Sequence, residues 1–278
     1  MQTIDVRGFI VPDEDAFFYR FFGFAVTCPR DILRALERAN GEEVTVRINS
    51  YGGDVWSGSE IYTALKSYAG QVNIEVTGLA ASAASVIMMA GDEVRASPTC
   101  EIMIHNPSSR AEGDYRVMRH AAKSLRNTRE AIVNAYELRT GIDRARIRSM
   151  MDEETWMTAQ KAVETGFADE IMFTEGNAME IESIEDENTA SEGAAARAAA
   201  ISMPSARDLR TKYAVWQEIA PGANSIDEAR AFAAQKSAEA QGKHPENEPN
   251  TTTAPEGATK RASSEIELIR AKIKTIAM

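Results

Sequence analysis

Hydrophobic and polar positions divide the chain near residue 174. Before it, strand-like and helix-like runs alternate. TIDVRGFIV (3–11) reads as a strand, and EVTVRINS (43–50) as another, rich in β-branched residues. YGGDVWSG (51–58) turns, and SEIYTALKSYA (59–69) continues as a helix. QVNIEVTG (71–78) is the next strand, followed by the small-residue helix ASAASVIMMAG (81–91). DEVRAS (92–97) and CEIMIHNP (100–107) are two short strands. A helix of about eight turns spans 111–141. Two more are predicted at 143–153 and 158–171, the latter with Gly166 as a C-cap. Strands alternating with helices predict an α/β domain built from stacked crossover units.

After residue 174 the pattern changes. TEGNAMEIESIEDENTASEGAAARAAA (174–200) is acidic and then Ala-rich, the composition of a linker or disordered segment. Helices are expected at 204–219, with Ser205 as cap, and at 225–241, where Ser225 and Glu228 have capping-box spacing. Residues 242–264 are polar, Pro-rich and expected to be disordered. A final amphipathic helix is predicted at 263–278, with Ile266, Ile269 and Ile273 on one face. The expected organisation is a domain over 1–173 and a partly disordered, helix-bearing tail over 174–278.

Composition narrows the function. A net charge of −11 disfavours nucleic-acid binding. No apolar run reaches the length of a membrane helix and no signal peptide is recognisable, so a cytoplasmic protein is expected. The two cysteines, Cys28 and Cys100, fit no disulfide framework or metal-ligand spacing. Neither a metal nor a cofactor is expected.

Three segments carry candidate chemistry. Ser82 and Ser85 lie in TGLAASAASVIMMAG (77–91), which otherwise reads as buried. A buried hydroxyl without a partner costs free energy, so each needs a role. Ser82, just after a strand and near a helix N-terminus, suits a nucleophile with backbone amides beside it. The competing reading is a packed helix whose serines bond back to earlier carbonyls. The glycines of NSYGGDVWSG (49–58) permit φ > 0 and leave backbone donors uncovered. His105 ends a strand before Asn106-Pro107. Of the three histidines, His120 is expected on a solvated helix face and His244 in the disordered tail, which leaves His105 as the base. A group to orient that imidazole is open among Asp152, Glu153 and Glu154.

RINSYGGDVWSGSEIY, GLAASAAS, IMIHNP and ETWMTAQKAVETGFADEI occur in this order. Together they resemble the proteolytic subunit of Clp protease, and most of all its relatives among the head-maturation proteases of tailed phages and prophages. The resemblance covers about residues 1–173. It implies a stacked β-β-α superhelix of the ClpP/crotonase type and a serine endopeptidase. It also implies a role for each matching residue: Ser82 as nucleophile, His105 as general base, and the amides of Gly53 and Ala83 as oxyanion hole. Glu154 stands where the family has an aspartate, with Asp152 as the alternative. Ser85→Ala is expected to be nearly silent.

The resemblance further implies a ring-forming homo-oligomer, heptameric and stacked face to face. Its handle would fall on 108–141, with Val117, Ala121, Leu125 and Ala131 as an apolar seam. Polypeptide substrates are implied, among them scaffold or capsid precursors, in the host cytoplasm or the prohead. Little room precedes TIDVRGFIV for the family's axial loop, so an ATPase unfoldase partner is not expected. Two other readings remain: a crotonase-type acyl-CoA enzyme, which would need neither Ser82 nor His105, and a catalytically dead core serving capsid assembly. A Ser–Lys dyad is disfavoured, because no lysine lies between Lys66 and Lys123.

Overall fold

The computed structural model describes residues 2–174 and 203–241. The expected linker at 175–202, His244 and the expected helix at 263–278 lie outside the described residues. In chain order the elements are β1 (Gln2–Ile10), α1 (Asp13–Phe21), β2 (Val26–Thr27), α2 (Pro29–Ala39), β3 (Val44–Gly53), α3 (Val55–Lys66), β4 (Val72–Ala81), α4 (Ala83–Met88), β5 (Glu93–Ala96) and β6 (Glu101–Ile104). These are followed by α5 (Tyr115–Thr140), α6 (Arg144–Asp152), β7 (Thr155–Thr158), α7 (Ala159–Glu164), β8 (Glu170–Ile171), α8 (Ala206–Ile219) and α9 (Ile226–Gln241).

Parallel pairing dominates. The sheet order is β2-β1-β3-β4-β5-β8, with β6 on β4 and β7 on β6. Among the described residues only β6 and β7 run antiparallel. Val44, Val46 and Ile48 of β3 and Val72, Ile74 and Val76 of β4 are fully buried, as the central strands of such a sheet require. Residues 12–42, to which the hydrophobic pattern assigns no element, form two helices and a two-residue strand. α2 starts with Pro29 in its first turn and buries Ile32, Ala35, Leu36 and Ala39, a stripe of period 3.6. It ends at Asn40, which takes the left-handed conformation at φ 47°.

The forking of β4 positions the site. Its first half, Asn73–Val76, pairs with β5, and its last three residues, Leu79–Ala81, pair with β6. The strand therefore runs three residues past the predicted end at 78, because β6 supplies partners for its backbone. The helix predicted at 81–91 shortens to Ala83–Met88. The segment 155–158, expected within loop and helix, becomes β7 because it completes the edge of β6. The C-terminal ends of β3, β4 and β6 thus share one rim, where parallel α/β sheets bind their ligands.

Contacts divide the described residues into two compact units: 2–16 with 25–174, and 17–24 with 204–241. The second unit holds α8 and α9 and also takes Phe17–Phe24 from the early chain. Its core is Phe21, Trp216, Ile219, Ala220, Ile226, Ala229 and Ala233. Tyr213 meets Phe17 and Phe21 edge to face, with ring centroids 5.2 and 4.8 Å apart. The Tyr19 hydroxyl donates to Pro204 O at 2.6 Å. α8 is capped by Ser205, whose oxygen accepts from Asp208 N at 3.3 Å. Ser225 Oγ accepts from Glu228 N at 3.2 Å. No helix among the described residues is long and apolar enough to cross a membrane.

Candidate active site

Ser82 sits between β4 and α4 with φ 55° and ψ −123°. This backbone geometry is strained for a residue with a side chain, and such strain persists only where the surroundings fix it. Four bonds do so. The Ser82 amide donates to Met103 O at 2.9 Å. Its carbonyl accepts from Ser85 N at 3.0 Å, Val86 N at 3.4 Å and Ser85 Oγ at 2.7 Å. The sharp turn from strand to helix leaves the Ser82 side chain at the rim and not in the core.

His105 follows the last residue of β6, and the β4–β6 register brings it to Ser82. Ala81 pairs with Met103, so the residues just beyond each strand end are neighbours. His105 Nε2 lies 2.8 Å from Ser82 Oγ. Burial pushes the imidazole below its ordinary value, and the nearby Glu154 charge works in the opposite direction. A base held neutral is ready to take a proton.

The Glu154 charge reaches the same imidazole from just before the start of β7. Ile104 pairs with Thr155 in the antiparallel ladder, so His105 and Glu154 occupy the next step. Glu154 takes a left-handed conformation, φ 53°. Its Oε1 is buried with no hydrogen-bond partner among the described residues. Asp152 is engaged elsewhere: it accepts from Asn106 Nδ2 at 2.7 Å and pairs with Arg129 at 3.5 Å. Glu153 accepts from Ser149 Oγ at 2.6 Å. The Glu154 charge acts to raise the His105 pKa, whereas Asp152 and Glu153 are taken up by other bonds.

The glycine pair lies against the elbow. Gly52 has φ 84°, and a Cβ there would come within 2.7 Å of Ser82 Cβ and 2.9 Å of Ala83 N. Gly53, φ 149°, abuts β1, where a Cβ would meet Ile10 O at 2.1 Å. Asp54 N donates to Ile10 O at 2.8 Å. The Ala83 N–H opens α4, where no intrahelical acceptor exists. Ser50 Oγ secures the loop by donating to Gly8 O at 2.7 Å and accepting from Gly52 N at 3.1 Å.

Ser85 has a role the sequence did not give it. It is fully buried, and its oxygen bonds Tyr136 OH at 2.8 Å as well as Ser82 O. Ser85→Ala would strip a buried phenol of its partner, so the expectation of a silent change is revised. No local signal reveals this pairing, since Tyr136 lies 51 residues further along the chain. His120 is exposed on α5, as expected. A cavity of about 820 Å³ adjoins Glu154 and is lined also by Arg146, Trp156 and Lys161, but neither Ser82 nor His105 reaches it.

Comparison with known proteins adds the family. A model of the Clp protease family matches residues 29–175. The chain is 37% identical over 136 residues to ATP-dependent Clp protease proteolytic subunit 1 of Protochlamydia amoebophila, covering 48% of this chain and 66% of that protein. It is 36% identical over 144 residues to the Chlamydia abortus protein of the same name, covering 50% of this chain and 75% of that one. For the Bacteroides fragilis proteolytic subunit the values are 31% identity, 48% and 65%. The match therefore spans about two thirds of the length of these relatives. Among solved structures, a ClpP1 mutant of Listeria monocytogenes superposes with a TM-score of 0.51 at 24% identity, covering 62% of this chain and 91% of that one. That likeness concerns the fold alone.

Proposed function

The chain belongs to the Clp protease family, and from that premise we propose that it is a serine endopeptidase acting through Ser82, His105 and Glu154. The observation that carries the reading is the 2.8 Å bond between His105 Nε2 and Ser82 Oγ at the rim where β4 and β6 end. A crotonase-type enzyme has no use for such a pair.

In the proposed reaction His105 takes the Ser82 proton while Oγ bonds to the scissile carbonyl carbon. The amides of Gly53 and Ala83 receive the oxyanion, each donor contributing about 3 kcal/mol to transition-state stabilisation. His105 then passes its proton to the leaving amine as the C–N bond breaks. Water attacks the acyl-enzyme, gives its proton to His105 and releases the acid, and Ser82 recovers its hydrogen. The Glu154 charge offsets the positive charge that forms on the imidazole. Cleavage of fluorescent casein by the full chain tests the reading. Ser82→Ala should abolish turnover with folding intact, and undiminished turnover overturns it.

The reading extends to assembly and substrate. The first half of α5 exposes Tyr115, Val117 and Met118, at 68, 45 and 42% of their surface. These exposed apolar side chains support a contact with further copies, in the ring with handle contacts expected from the sequence. The narrower role, head maturation by cleavage of scaffold or capsid precursors, is supported by the motif likeness alone. Co-expression with neighbouring virion proteins, comparing their N-termini with active enzyme and with Ser82→Ala, tests it; identical N-termini reject that role.

A further inference from the structure

From the Tyr136–Ser85–Ser82 hydrogen-bond chain we infer that Ser85 and Tyr136 are positioning residues that aim the oxyanion-hole amide of Ala83. The inference rests on the proposed role of Ser82.

Ser85 has one hydroxyl hydrogen, and it goes to Ser82 O at 2.7 Å. The second contact of Ser85 Oγ, with Tyr136 OH at 2.8 Å, is therefore one in which the phenol donates. A directed chain results: Tyr136 O–H to Ser85 Oγ, then Ser85 O–H to the Ser82 carbonyl. Both side chains are closed to solvent, at 1 and 0% exposure, so each bond acts in a low-dielectric setting and polarises the next. Tyr136 is itself fixed on the buried face of α5 and packs on Phe167, with ring centroids 5.6 Å apart.

The Ser82 carbonyl shares its peptide unit with the Ala83 N–H. That unit is trans, as are all described peptide bonds, and planar. The two groups point in opposite directions. Holding the carbonyl inward, toward Ser85 and Tyr136, holds the Ala83 N–H outward toward the substrate. At Ser82, where φ is 55°, the Ser85 hydroxyl adds to the bonds from Ser85 N and Val86 N that hold this carbonyl, and it is the shortest of the three. The hydroxyl pair thus reaches the transition state through one rigid peptide plane and touches no substrate.

The test is inactivation of the full-length protein by a fluorophosphonate, in which Ser82 Oγ bonds to phosphorus, fluoride leaves and His105 takes the proton. The phosphoryl oxygen occupies the oxyanion hole in this step. Tyr136→Phe removes one oxygen and keeps the ring, and it should lower the limiting inactivation rate about tenfold while leaving the reagent's half-saturating concentration unchanged. Ser85→Ala should lower the rate at least as much. The double variant should be no slower than Ser85→Ala, because the phenol acts through that serine. Thermal unfolding reports the separate loss of stability. A wild-type limiting rate in Tyr136→Phe, with only the unfolding temperature reduced, makes the pair merely structural and overturns the inference. If the wild-type protein does not react, the role of Ser82 fails and the inference falls with it.

Discussion

His105 and Glu154 stand opposite each other one step beyond Ile104 and Thr155, the last paired residues of β6 and β7. The ladder that joins two short edge strands thereby sets an acid beside an imidazole 49 positions earlier in the chain. Glutamate, a methylene longer than the aspartate of the family pattern, is accommodated where the backbone turns through φ 53°.

This register separates the roles of neighbouring acids. Glu154→Gln should lower kcat/KM by about 10²–10⁴-fold, the range expected when the orienting carboxylate is lost. Asp152→Asn, which alters contacts with Asn106 and Arg129 at the surface, should change it by less than about fivefold. Steady-state casein cleavage by the two variants distinguishes them; equal losses contradict the assignment.

The pH profile should carry the same signature. Burial holds the His105 pKa below 6.5, so the acidic limb of kcat/KM should lie below that pH. The Glu154 charge raises that pKa, so Glu154→Gln should move the limb to still lower pH. The sign for stability is also fixed. A depressed native pKa means the unfolded chain binds the proton more readily, so this contribution is complete above about pH 6.5. It is lost as pH falls from there through the native value. Urea titrations at several pH values read that trend.

Gly52→Ala should remove activity and stability together. At φ 84° an added Cβ would meet Ala81 O at 2.5 Å and Ser82 Cβ at 2.7 Å. Backbone strain and overpacking together cost about 3 kcal/mol or more. Thermal unfolding should show a clear drop; a wild-type midpoint rejects the close approach.

Asp54 ties the glycine loop to α3 by accepting from Ser57 N at 2.8 Å and from Ser57 Oγ at 2.7 Å. Asp54→Ala should cost about 1 kcal/mol as a lost cap. It should also slow casein cleavage, because Gly53 loses its anchored neighbour. Urea unfolding and turnover of one preparation measure both.

The legible and illegible parts of the chain differ in physical kind. β3 and β4 announce themselves through Val44, Val46, Ile48, Val72, Ile74 and Val76, because burial and period coincide there. Ser82 and His105 stand out as candidates because each lies at or just past a strand end and few histidines compete. α2 escapes the pattern assignment although its apolar stripe is regular, and β7 escapes it because its strand character comes from pairing with β6. The Phe17–Phe24 segment reads as part of the early chain, yet its aromatic rings find their partners on α8, nearly two hundred residues later. The Ser85–Tyr136 bond joins two helices, and no local pattern encodes it.

Mass mapping of the fluorophosphonate adduct tests the central claim most directly. The account predicts a single modified peptide carrying the label on Ser82, absent in Ser82→Ala and strongly reduced in His105→Ala. Label on another residue, or label on Ser82 unaffected by loss of His105, would contradict it.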